Sequence, residues 1–118
     1  MMQTPATDTL DLDVLKATVG DEPDVLADFL VDFRQVAAST LEMLHSALHA
    51  GDARSIANLA HRLKSSARAV GAKALGELSA HLESAGERAE PGAHLGTLIE
   101  QMERELHNVA CRIDHLRA

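Results

Sequence analysis

Aromatic residues are almost missing from this chain: it has no tryptophan, no tyrosine and two phenylalanines, Phe29 and Phe33. A core must therefore come from Leu, Ala, Ile, Val and Met, which favours packed helices, since strands prefer β-branched and aromatic side chains. Cysteine is nearly absent too. The single Cys111 excludes an intramolecular disulfide framework and fits a reducing compartment, so a cytoplasmic location is expected. No apolar run approaches the ~20 residues that span a bilayer, and the N-terminus lacks the basic-then-apolar order of a secretory signal. No membrane association is expected. Basic residues are outnumbered, eleven against eighteen acids, for a formal charge of −7. That balance argues against nucleic-acid binding, which needs a basic footprint, while leaving room for a local basic stripe.

What is present is a strong helical rhythm. The 118 residues, 46 % hydrophobic, suffice for one domain with a real core. Residues 1–9 read as a flexible polar leader, and residues 10–118 as a single domain. Leu10, Leu12, Leu15 and Val19 suggest a short first helix ending near Gly20. Asp21-Glu22-Pro23-Asp24 reads as a helix start, with Pro in the first turn and acids at the positive end. The long helix that follows, about 22–49, carries Leu26, Phe29, Leu30, Phe33, Val36, Ala37, Leu41, Leu44 and Leu48 at the spacing of one buried face. Gly51 closes it and Asp52 caps the next, about 53–70, whose apolar face is Ile56, Leu59, Ala60, Leu63, Ala67 and Val70. Gly71 breaks that helix. A fourth covers about 72–85, a turn region spans Ser84–His94, and a last helix covers about 93–116, from Leu95 to Leu116. Four long amphipathic helices on short links predict an all-α, antiparallel up-and-down four-helix bundle with an additional short N-terminal helix.

The stretch "HRLKSSARAVG", His61 to Gly71, is where chemistry enters. On a helical wheel His61 falls roughly 140° from Ile56, outside the apolar face. Arg54, Ser65 and Arg68 share its side, Lys64 stands at the edge of the same stripe, and Ala57 and Ser65 are its small neighbours one turn away. A neutral imidazole is a nucleophile near physiological pH, and a cation one turn away stabilises a phosphoryl group arriving there. Taken alone, an exposed His beside a Lys is most often an ordinary solvated pair.

The longer stretch "LAHRLKSSARAVGAKALGELSAHLE", Leu59 to Glu83, resembles the signature of histidine-containing phosphotransfer (HPt) domains. The places of that signature hold His61, Leu63, Lys64, Ser65, Ser66, Ala67, Gly71, Ala72, Leu75, Leu78, Leu82 and Glu83, and the helix order agrees along nearly the whole chain. The resemblance implies a phosphorelay protein: His61 as phosphoacceptor through its outer ring nitrogen, Lys64 neutralising the phosphoryl oxygens, Gly71 at the hairpin turn, and Gln35 on the neighbouring helix hydrogen-bonding near the histidine. Arg54, Ala57, Ser65 and Arg68 would form the docking stripe. Ser65 stands where the family often has glycine, which leaves the contact geometry open. The implied partners are receiver domains of response regulators or a hybrid sensor histidine kinase. Mg²⁺ would belong to the receiver, so the chain needs no cofactor of its own. It shows no glycine-rich nucleotide loop, and no autokinase activity is expected.

Other readings compete less well. Seven histidines invite a metal, and His45 and His49 stand four apart, but no third ligand has a telling spacing. Ser65 and Ser66 lack the strained elbow and oxyanion hole of a serine hydrolase. The acids, Glu83, Glu87, Glu90, Glu103 and Glu105 among them, read as solvated faces. The alternative function is a non-catalytic docking module that binds a receiver or kinase without accepting phosphate, followed by a purely structural bundle. A monomer is expected.

Overall fold

The computed structural model describes residues 6–117, and every described regular element is helical. A single turn, α1 (Ala6–Thr9), precedes α2 (Leu12–Val19), α3 (Pro23–His49), α4 (Ala53–Val70), α5 (Lys73–Glu87) and α6 (Gly92–Arg117). The long helices pair in chain order, α3 on α4, α4 on α5 and α5 on α6, and α6 closes the ring against α3. This is the up-and-down bundle that the hydrophobic spacing predicts. The leader assigned to residues 1–9 ends sooner than expected: Ala6–Thr9 is helical and Thr9 is buried, whereas residues 1–5 lie outside the described residues.

Local chemistry sets the helix ends. Asp11 caps α2 by accepting from the Asp13 backbone N–H. Pro23 opens α3, although no side chain caps it. Asp52 caps α4 twice over, accepting from the Ser55 backbone N–H at 3.1 Å and from the Ser55 hydroxyl at 2.7 Å, and these bonds hold its carboxyl below the usual range. Gly71 ends α4 in the left-handed conformation, φ 83°. There the chain also meets the N-terminal segment: the Asp11 backbone N–H donates to the Gly71 carbonyl at 2.8 Å. A Cβ on residue 71 would stand 2.1 Å from the Asp11 carbonyl oxygen, so glycine is required there both for conformation and for space. α2, packed on α3 and α4, thereby covers one end of the bundle.

The core is aliphatic. Leu15, Leu44, Ile56, Leu63, Leu75, Leu82, Ile99, Met102, Val109 and Ile113 are fully buried. Leu30 and Phe33 join them, but two residues assigned to the same face do not: Phe29 is 48 % exposed and Val36 57 %. With Met43, also exposed, they recur every seven residues and so form one line along α3, turned off the face that α4 and α6 cover. Leu116 too lies outside the core, near the end of α6. The α3–α6 seam is bridged by an ion pair, Arg34 with Asp114, and by a hydrogen bond between His45 and Glu103. α5 continues to Glu87, so the expected turn region shrinks to Arg88–Pro91. Cys111 is exposed.

Candidate functional site

His61 sits midway along α4, and its side chain is 58 % exposed, as the wheel requires. Beneath it lies a residue that composition placed on a solvated face. Glu83 of α5 is largely covered, and its two oxygens are divided: Oε2 stands 2.7 Å from His61 Nδ1 and Oε1 accepts from Lys64 Nζ at 2.5 Å. The hydrogen bond from Lys64, and after it the one from His61, hold the Glu83 carboxyl below its ordinary value, outweighing the opposing effect of burial. An ionised carboxylate only accepts hydrogen bonds. Nδ1 of His61 is therefore the donor in this bond, and Nε2 is the nitrogen on the outer side of the ring.

The hairpin explains how a residue so distant in sequence arrives there. His61 and Glu83 stand equal numbers of residues before and after Ala72, at the turn between two antiparallel helices, and so come level with each other. Close packing completes the placement. Gly86, one turn beyond Glu83, lies against the Ala53 carbonyl and the Ala57 backbone, where an added Cβ would sit about 3.0 Å from both. Glu83 was legible as the closing acid of the sequence pattern; the hairpin register is the signal that would have joined it to the histidine.

The other expected site residues fall on two sides of the ring. Between α4 and α5 a cleft is lined by Arg54, Ala57, Asn58, His61, Arg62, Glu83 and Glu87. Between α3 and α4 a groove is lined by Gln35, Val36, Ser39, Met43, His61 and Ser65, among others. Arg54, Ser65 and Arg68 are exposed as expected, but Ala57 is buried, because α5 lies directly on it at Gly86. Arg68 stands two turns beyond His61, against Gly76 of α5. Ser65 turns its hydroxyl back to the His61 carbonyl at 3.3 Å, which keeps its small side chain on its own helix. Gln35 borders the groove, and no hydrogen bond joins it to His61 among the described residues. Lys64 is half-buried, drawn down to Glu83. Every charged residue of α4 other than histidine is a cation (Arg54, Arg62, Lys64, Arg68) in a chain of net charge −7.

An exposed imidazole with one nitrogen held and the other presented, on a helix of uniform positive charge, is an arrangement for receiving an anionic group. Comparison with known proteins identifies the family. The Hpt domain model matches residues 28–110. The chain belongs to the Hpt domain family. The crystal structure of histidine-containing phosphotransfer protein B (HptB) from Pseudomonas aeruginosa PAO1 has the same fold, with a TM-score of 0.85 and 33 % sequence identity over 92 % of this chain and 94 % of that one. No curated protein matches the sequence significantly. The Hpt assignment agrees with the helical architecture, and the family match and the HptB likeness support histidine phosphotransfer in phosphorelays. No helix among the described residues is long and apolar enough to cross a membrane.

Proposed function

We propose that this Hpt protein relays a phosphoryl group between receiver-domain aspartates through Nε2 of His61. The observation that carries the reading is the Glu83–His61 hydrogen bond, which engages Nδ1 and leaves Nε2 of the exposed ring for a partner. Uptake is an in-line displacement: the Nε2 lone pair attacks phosphorus of a receiver's phospho-aspartate, the P–O bond breaks, and its electrons return to the aspartate carboxylate. Lys64 lies beside the ring, and its ammonium neutralises charge on the phosphoryl oxygens. Mg²⁺, held by the receiver, supplies the remaining charge stabilisation. Onward transfer is the reverse step with a second receiver.

The surroundings support docking of an acidic, partly apolar partner face. Arg54, Arg62 and Arg68 ring the site with positive charge, and Phe29, Val36 and Met43 offer an apolar line beside it. The four long helices bury their facing sides in one another, which supports a monomeric carrier, and the single cysteine supports a reducing, cytoplasmic setting. The test is a mixture with a phosphorylated receiver and Mg²⁺, followed by addition of a second, unphosphorylated receiver. The phosphoryl group is expected on this chain and then on the second receiver. Binding to a receiver with no transfer in either direction would make the chain a docking module instead.

A further inference from the structure

Two hollows flank the helix that carries the histidine, and among the described residues only two border both. His61 and Arg62 line the cleft between α4 and α5 and also the groove between α3 and α4. We propose that Arg62 is a further catalytic residue, whose guanidinium donates to the oxygens of a phosphoryl group at Nε2 of His61. The proposal rests on the phosphotransfer reading above and adds the cation that meets the group on the side away from α5.

The other cations of α4 are placed differently. Lys64 comes to the site with its charge already shared: Nζ donates to Glu83 Oε1 at 2.5 Å, and the side chain is half-buried. Arg54 and Arg68 stand two turns from His61 in opposite directions. Arg54 borders the α4–α5 cleft but not the groove on the other side, and Arg68 lies against Gly76. Arg62 is exposed, forms no ion pair among the described residues, and borders the hollows on both sides of the ring.

Consecutive residues on a helix stand 100° apart, and short side chains so placed do not meet. An arginine is long enough to close most of that gap, and a phosphoryl group closes the rest by projecting beyond the ring. The neighbours of His61 one turn away leave the space open. Ala57 ends at its methyl group, and Ser65 turns its hydroxyl back to the His61 carbonyl. The guanidinium presents its N–H donors in a planar fork that matches two phosphoryl oxygens, and it stays charged throughout. Arg62 therefore exchanges no proton during transfer; it holds the oxygens while one bond to phosphorus forms and the other breaks.

The experiment uses phosphoramidate, a donor with no protein surface to dock, so that loss of a receiver contact cannot imitate loss of a phosphoryl contact. Nε2 attacks its phosphorus, the P–N bond breaks and ammonia leaves. The full chain is compared with Arg62→Gln, Arg62→Lys and Lys73→Gln, the last removing an equal charge at the exposed start of α5. Uptake is expected to slow about fivefold in Arg62→Gln, the upper end of what an exposed ion pair supplies. It should recover in part in Arg62→Lys and keep the native rate in Lys73→Gln. In ¹⁵N NMR of the native chain the Arg62 side-chain resonance should shift when His61 is phosphorylated. Equal rates in the native and Arg62→Gln chains, an equal fall in Lys73→Gln, or an Arg62 resonance unmoved by phosphorylation overturns the proposal. A native chain that takes no phosphoryl group from phosphoramidate or from a receiver overturns the relay reading instead. Inorganic phosphate then decides the role of Arg62: it should bind Arg62→Gln about fivefold more weakly than the native chain, and equal binding overturns the proposal.

Discussion

Replacing Gly71 with alanine tests the junction that fixes the end of the phosphotransfer helix. Three costs add up. An L-residue held at φ 83° pays roughly 1–2 kcal/mol. The new Cβ, 2.1 Å from the Asp11 carbonyl oxygen and 2.9 Å from its carbon, meets backbone rather than the end of a flexible chain, and relieving such overpacking costs about 1–3 kcal/mol. Moving the segments apart also stretches the Asp11-to-Gly71 hydrogen bond, worth about 0.5–1.5 kcal/mol. The sum is about 2.5–6.5 kcal/mol, a large part of the ~5–15 kcal/mol that holds a domain together. Gly51 supplies the control: its φ is also positive, 70°, but nothing stands within 4 Å of a Cβ there. Gly51→Ala should therefore show only the conformational cost, about 1–2 kcal/mol. Urea unfolding of both variants, compared through midpoints at equal slope, measures the difference. Equal destabilisation of the two would refute the close approach of Asp11 to Gly71.

Other expectations follow from the same geometry. Phe33→Ala, in the core at 6 % exposure, should cost about 3–5 kcal/mol in thermal or urea unfolding, whereas Phe29→Ala, 48 % exposed, should stay within about 1 kcal/mol of the native chain and instead weaken receiver binding in a titration. Lys64→Ala should leave a folded bundle by circular dichroism and slow phosphoryl transfer about ten- to a hundredfold, the loss of one charge-assisted hydrogen bond to the phosphoryl group. The Glu83 carboxyl is held below its ordinary value in the fold, so its contribution is fully present above the unfolded value near 4.3 and is lost as pH falls through the folded one. The stability difference between the native chain and Glu83→Gln, followed against pH by unfolding, should be constant above about pH 5 and shrink only below about pH 4.3.

The helices were legible because their ends are written in local chemistry. Asp52 and Gly71 act on neighbouring backbone groups, so the limits of α4 follow from the sequence alone. His61 was legible for a similar reason, since its position on the wheel depends only on its own helix. Phe29 and Val36 were misread because a three-to-four spacing identifies an apolar surface without saying which part a neighbour covers; α3 has a second apolar line beyond its buried face. Glu83 and Glu103 read as solvated acids because their partners His61 and His45 lie on other helices. Surface pairing of that kind is invisible until the register of the hairpin or the closing seam is fixed. Ala57 shows the converse. Its place beside His61 was correct, but the glycine that brings α5 over it stands 29 positions away in the chain.

In the proposed relay, Nε2 of His61 accepts the phosphoryl group. The most direct measurement is the intact mass of the chain after incubation with a phosphorylated receiver and Mg²⁺, with the native protein and His61→Gln side by side and the adduct challenged by acid and by base. One phosphoryl group, labile in acid and stable in base, is expected on the native chain and none on a variant that folds equally well. A phosphoryl group that persists in His61→Gln, or that survives acid, would contradict it.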